Sequence, residues 1–144
     1  MKMTNFILDD PTQAIILIGL GLEWDLHNYA TFTGLSFEAI SNTLQLEWKV
    51  PHESNPWGCI DNHARGCRIV FHRVVSVKVG PSVGCPQFGE ADTLHGLSKV
   101  TPEAGQYRFK KEWSDSAPFN LLFEFGNGWA IEVDAESAEL VAAT

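Results

Sequence analysis

Residues 119–133 read FNLLFEFGNGWAIEV, and this stretch decides the fold class. Apolar side chains occupy alternate positions on both sides of Gly126–Gly128, which is typical of two half-buried strands joined by a tight turn. A three-residue loop sets Phe123 opposite Ile131 and keeps one face apolar, whereas a two-residue loop mixes apolar and polar side chains. The sequence therefore predicts an antiparallel hairpin with Gly128 at the left-handed position of a three-residue loop.

The segment before this hairpin extends the predicted sheet. Residues 107–113 carry aromatic side chains on one face, and folding back through 114–118 pairs them with residues 119–125. This pairing places Arg108 opposite Glu124 on the outer face, an opposite-charge pair across two strands.

Four other segments have strand or helix patterns. Residues 35–48 alternate around Ser41–Asn42 as a second hairpin, and residues 68–79 supply one or two strands with a bulge or break near His72–Arg73. Residues 14–22 fit a buried strand or a helix, while 134–142 has helical character with Asp134 as its cap. Two long loops remain, at 51–66 and 80–94, and loops of that length often carry function.

These patterns predict one β-dominated domain over residues 1–144. We expect an all-β, antiparallel sandwich or strongly curved sheet of hairpins, with one or two short helices.

Composition excludes several classes of protein. Ten Lys and Arg against eighteen Asp and Glu give a net charge of −8, unlike the basic footprint of a nucleic-acid binder. Hydrophobic residues make up 44%, too many for a disordered tail, and the longest apolar run, residues 15–22, is too short to span a membrane. The N-terminus does not follow the signal-peptide pattern, and three cysteines favour a reducing compartment. The sequence thus predicts a soluble cytoplasmic protein.

The densest group of possible metal ligands is Cys59, His63 and Cys67, spaced C-x3-H-x3-C. Structural zinc needs four ligands, usually as two compact pairs, and the chain offers one compact group. We therefore expect no metal and no cofactor, with Cys67 on the core face of a strand. A metal-assisted hydrolase built on the 52–67 loop is the alternative that these residues leave open.

Nucleophilic or general-base catalysis has no recognisable signature in this chain. Asp25 and His27 could share a strand face, but a histidine that is hydrogen-bonded at a strand end explains the pair equally well. The sequence leans away from an enzyme.

Charge placement is the most informative functional feature. Residues 112–144 carry seven acids and no Lys or Arg, whereas residues 64–111 carry eight bases and three acids. We expect an acidic outer face on the last hairpin that steers a basic partner, with Trp57 as an apolar anchor. The residues predicted to bind are Glu124, Glu132, Asp134 and Trp57.

The succession of strand patterns resembles small all-β bacterial immunity proteins of toxin systems and related uncharacterised families. The resemblance runs over residues 20–133 through Trp24-Asp25-x-His27, the 35–46 hairpin, Ile69-Val70-Phe71-x-x-Val74 and the C-terminal aromatic hairpin. It implies a non-enzymatic cytoplasmic inhibitor that binds a cognate toxin. A small-molecule or carbohydrate-binding β-domain is the other alternative, and the sequence specifies neither the partner's identity nor an oligomeric state.

Overall fold

The structure is a computed structural model that describes residues 1–50, 65–81, 92–103 and 108–143. Every regular element in these ranges is a β-strand, so the prediction of an all-β antiparallel fold is confirmed. The strands are β1 (Lys2–Thr4), β2 (Phe6–Leu8), β3 (Ile16–Gly19), β4 (Leu22–Asp25), β5 (Thr31–Glu38), β6 (Thr43–Lys49), β7 (Gly66–Pro81), β8 (Leu94–Val100), β9 (Asn120–Phe125) and β10 (Trp129–Ala143).

The strands form two sheets. The larger sheet has the order β5-β6-β7-β10-β9-β8, and β1 joins it by parallel pairing to β10. The smaller sheet has the order β2-β3-β4. Buried side chains of both sheets belong to one hydrophobic core, which includes Leu17 and Trp24 from the smaller sheet and Trp48 and Phe123 from the larger.

The larger sheet curves strongly. Strands β6 and β9 are three places apart, which would separate them by ~14 Å in a flat sheet, yet the Trp48 and Phe123 rings are 5.8 Å apart. Phe32 of β5 likewise lies 4.7 Å from Phe125 of β9, four places away. The curvature brings the beginning of β5 towards β8, where the Phe32 amide donates to the Asp92 carbonyl at 2.8 Å.

The hairpin that decided the fold class has the predicted register. Phe123 pairs with Ile131 and Leu121 with Val133. Gly128 has a φ of 84°, and its amide donates to the Phe125 carbonyl at 3.0 Å. A glycine takes this conformation without the steric cost that a Cβ would bring.

The third strand of this sheet was predicted from the wrong segment. β8 occupies the free side of β9, with Leu97 opposite Phe123, and Phe109 makes only a single bridge to Val100. The alternation in β8 is broken at its beginning, because a register shift between Leu94 and Gly96 separates the buried Leu94 and Leu97 by three residues.

The predicted helix at 134–142 is also wrong, since β10 continues through it, and the described residues contain no helix at all. Pairing with β7 along the whole of β10 overrides the local helical preference of these residues.

An irregularity does fall close to the predicted position in β7. Arg73 has a φ of 52°, and the β7–β10 register shifts at Val75, although the strand continues without a break. Beyond Ala135 the core side of β10 changes from odd residues such as Val133 to even residues such as Ala138.

Candidate functional site

The outer surface of the smaller sheet combines apolar and acidic side chains. Register places Ile7, Ile18 and Glu23 in one row across the three strands, and Ile16 opposite Asp25 in the next. Ile7 is 58% exposed and Ile18 is 38% exposed, although large aliphatic side chains are usually buried. We call this surface the acidic–apolar face and define it by Ile7, Asp9, Ile16, Ile18, Glu23 and Asp25.

The strand pattern of these residues builds the face. Leu8, Leu17 and Trp24 alternate with the face residues, and all three point into the core. The Trp24 indole also donates to the Gly19 carbonyl at 2.9 Å, which holds the β3–β4 hairpin to its own turn. Burial of one side of the sheet therefore fixes which residues point outwards.

Asp and Glu are the only Asp, Glu, Lys or Arg residues in the part of the chain that forms this face. No Lys or Arg occurs between Lys2 and Lys49. Asp10, beside the face, has its pKa lowered by hydrogen bonds from Thr12, whose hydroxyl and amide donate at 2.7 and 2.8 Å. The carboxylate of Asp10 is therefore charged at neutral pH.

The side chains of Asp25 and His27 bond to other groups rather than to each other. The Asp25 carboxylate accepts from the backbone amides of His27 and Asn28, at 3.1 and 2.9 Å, and from the Asn28 side chain at 2.7 Å. The His27 ring donates through Nδ1 to the Leu94 carbonyl at 2.6 Å. Both side chains therefore shape the turn after β4 and join it to β8.

Register places the C-terminal acids Glu124, Glu132 and Asp134 on the outer side of the last hairpin, opposite the core side, as predicted, but Glu132 is not exposed there. Glu132 is 8% exposed, and its carboxylate accepts from both Arg108 guanidinium nitrogens and, at 3.0 Å, from the Asn120 amide. Arg108 therefore pairs with Glu132, and the predicted pair of Arg108 with Glu124 is wrong. The physical reason is that β8 pairs with β9, whereas Arg108 and Phe109 bond to the end of β8, so that Arg108 is not placed opposite Glu124.

Glu124 and Asp134 lie on the same side of β9 and β10 as Glu132, and their role in binding stays a prediction. Glu124 and Asp134 are half-buried on β9 and β10, and Asp134 lies opposite Ser76. Trp57 lies outside the described residues, so its role as an apolar anchor stays a prediction.

The possible metal ligands are described only in part. Cys67 lies on the core side of β7, opposite Trp48, and is completely buried as expected. Burial raises the pKa of its thiol to about 12. Cys59 and His63 lie outside the described residues, and within the described ranges no three His, Cys, Asp or Glu side chains group as metal ligands.

A shallow groove crosses the outer side of β5 and β6. Its volume is about 240 Å³, and its lining residues are Thr33, Gly34, Leu35, Ser36, Gln45, Glu47 and Lys49. No aromatic side chain of the described residues lines it, so these residues provide no stacking surface of the kind typical of a carbohydrate site.

Sequence analysis did not predict the acidic–apolar face, although the distribution of charge along the chain indicates it. Residues 1–63 carry eight acids and two bases, an imbalance close to that of the C-terminal block. The alternation of Ile7 with Phe6 and Leu8 was obscured because all three are apolar.

Comparison with protein-family models, with curated proteins and with solved structures finds no match. Among the residues that the structure describes, no helix has the length and hydrophobicity needed to cross a lipid bilayer.

Proposed function

We propose that this chain is a non-enzymatic protein-binding module, an inhibitor of the immunity type, and that it binds a basic protein surface through the acidic–apolar face. One observation carries the proposal: Ile7 and Ile18 are exposed side by side, with Glu23 completing their row. An apolar centre beside charged residues is the usual anatomy of a protein interface.

Shape favours a protein over a small molecule. The acidic–apolar face is one side of a three-stranded sheet, whereas small-molecule sites are concave and enclose most of their ligand. The polar groove between β5 and β6 is open and has no aromatic lining. A flat surface with exposed isoleucines suits a partner that brings its own large surface.

Charge determines which partner is favoured. The protein carries a net charge of −8, and the acidic–apolar face contributes Asp9, Glu23 and Asp25. Carboxylates on a rigid sheet attract a basic surface during diffusion and raise the association rate, most strongly at low salt. The isoleucines then supply apolar burial once the surfaces meet.

Site-specific photo-crosslinking tests the location of binding. A photoreactive amino acid replaces Ile18 in one variant and Val79, which is 59% exposed on the larger sheet, in a control. Both proteins are irradiated in an extract of the source cells. We expect a basic protein to be captured from the Ile18 position and not from Val79.

The captured protein is then purified and its binding measured against charge variants. Glu23→Lys combined with Asp9→Lys should weaken binding, while Glu124→Lys combined with Asp134→Lys is the matched control for the other acidic strands. Capture of the same proteins from both positions, or a stronger effect of the control variant, would overturn the proposed face.

A further inference from the structure

The turn between β3 and β4 holds a leucine in a backbone conformation that leucine rarely adopts. Leu20 and Gly21 form the two-residue loop of this hairpin, and their φ angles are 56° and 75°. Positive φ at both central positions is typical of the type I′ turn, for which Asn-Gly is a preferred sequence. Glycine takes the second position without steric cost, but the Cβ and branched side chain of leucine make the first position unfavourable.

The same conformation is occupied by asparagine elsewhere in the chain. Within the part of the chain that the structure describes, the non-glycine residues with positive φ are Asn5, Leu20, Asn42 and Arg73. Asn5 and Asn42 are of a residue type that tolerates this region, and both donate side-chain hydrogen bonds to backbone carbonyls. Leu20 is the aliphatic exception, and its side chain can make no such bond.

Burial does not explain the leucine either. Leu20 is 45% exposed and is not among the side chains that pack in or against the described hydrophobic core. Leu22, at the start of β4, is 9% exposed and fills the core instead. A leucine that gains little burial and makes its own turn unfavourable does not stabilise the fold. Residues that break a local rule in this way are expected at functional sites.

The backbone that presents Leu20 is held firmly. Gly19 pairs with Phe6 of β2, and a Cβ at Gly19 would overlap the Asn5 carbonyl oxygen, so the two strands approach closely here. The Trp24 indole donates to the Gly19 carbonyl from the other strand of the hairpin. A side chain presented on a fixed backbone requires little further ordering when it binds, which favours affinity.

We infer that Leu20 is the apolar anchor beside the acidic–apolar face and inserts into an aliphatic pocket with a basic rim on the partner protein. This role rests on the proposed function, because it names the surface of the basic partner that the face fits. In the strands that lead to the turn, Ile18 lies opposite Glu23, so one apolar and one acidic side chain follow the anchor. An apolar pocket with lysine or arginine beside it complements that arrangement.

Thermal unfolding of Leu20→Asn tests whether the leucine serves the fold. Asparagine suits the first position of this turn, so the melting temperature should rise by ~2–4 °C. Ile40→Asn is the matched control, because Ile40 is 99% exposed in the turn between β5 and β6 and its replacement should leave the melting temperature unchanged. A lower melting temperature for Leu20→Asn would overturn the inference, since the leucine would then stabilise the fold.

The basic protein captured from Ile18 and purified is the probe for binding. Leu20→Asn should raise its dissociation constant at least ~10-fold, whereas Ile40→Asn should leave it close to the wild-type value. An unchanged dissociation constant for Leu20→Asn overturns the role of Leu20 and leaves the acidic–apolar face standing, because the probe still binds at Ile18. If Ile18 captures no basic protein, the proposed function fails and the role of Leu20 fails with it.

Discussion

Replacing Arg108 with leucine should remove the main partner of a buried carboxylate. Arg108 contacts both carboxylate oxygens of Glu132 and also donates to the Thr101 carbonyl at 3.0 and 3.1 Å. Its side chain is 23% exposed, against 10% for Glu132. After the substitution, Asn120 is the one remaining side-chain donor to Glu132 among the described residues.

The expected loss of stability is large for a single substitution. Breaking a buried ion pair on one side typically costs ~3–5 kcal/mol, and the partial exposure of Arg108 favours the lower end, about 3 kcal/mol at neutral pH. Part of this loss belongs to the Thr101 contacts. A double-mutant cycle with Glu132→Gln separates the two parts, and we expect an Arg108–Glu132 coupling of about 2 kcal/mol.

The pKa of Glu132 determines how the stability from this ion pair changes with pH. Burial by itself raises the pKa of Glu132, but hydrogen bonds from Arg108 and Asn120 and the nearby positive charges of Arg108 and Lys78 outweigh it, so the pKa lies below its ordinary value of 4.5. The ion pair therefore stabilises the fold above that pH, and this stability is lost as the pH falls through the folded-state value. Without Arg108, its hydrogen bond and its charge no longer lower the pKa of Glu132, so we expect that pKa to rise.

Urea unfolding of the four proteins of the cycle, at about pH 7 and about pH 4, measures both effects. The penalty of Arg108→Leu should shrink as the pH falls, because the Glu132 carboxylate takes up its proton at a higher pH in the folded variant than in the folded wild type. In the Glu132→Gln background the penalty should not depend on pH. A penalty that is equal at both values in the wild-type background would refute this description of the site.

Three further outcomes follow from the described residues. Gly66→Ala should destabilise the fold by more than ~2 kcal/mol in urea unfolding, because the added Cβ would lie 2.2 Å from a backbone oxygen of β6. Gly80→Ala is the control, since an added Cβ there has nothing within 4 Å, and it should change stability by less than ~0.5 kcal/mol. In a variant that keeps Cys67 as its one cysteine, the buried thiol should react with a thiol reagent at least ~100-fold more slowly in the folded than in the urea-unfolded protein. Elemental analysis of protein purified without added metal should find no stoichiometric zinc at Cys59, His63 and Cys67, because Cys67 faces the core; stoichiometric zinc would contradict this.

How much of the fold follows from the sequence depends on how regular each strand is. Phe123 and Ile131 could be paired in advance because alternation and a three-residue loop agree on one register. β8 could not, because the register shift at its beginning breaks the alternation. The second half of β10 has the residues of a helix, and only its pairing with β7 and β1, distant in sequence, makes it a strand.

The candidate site shows a similar division. Charge counting found that the last block of the chain is acidic, but it could not show that Glu132 pairs internally with Arg108, since that contact depends on a segment without regular structure. The acidic–apolar face depends on which side of a short sheet meets the core. The burial of Trp24 and of the side chains beside it determines which side of the sheet faces the core. Alternation in the sequence indicates this side only weakly, because the three strands are three or four residues long.

The association rate between this protein and the partner captured from Ile18, measured at low and at physiological salt, tests the central claim most directly. We expect Glu23→Lys combined with Asp9→Lys to slow association by ~10-fold or more at low salt and to flatten its salt dependence, while Glu124→Lys combined with Asp134→Lys leaves both close to wild type. Equal rates for wild type and the Glu23 and Asp9 variant at both salt concentrations would contradict the assignment of binding to the acidic–apolar face.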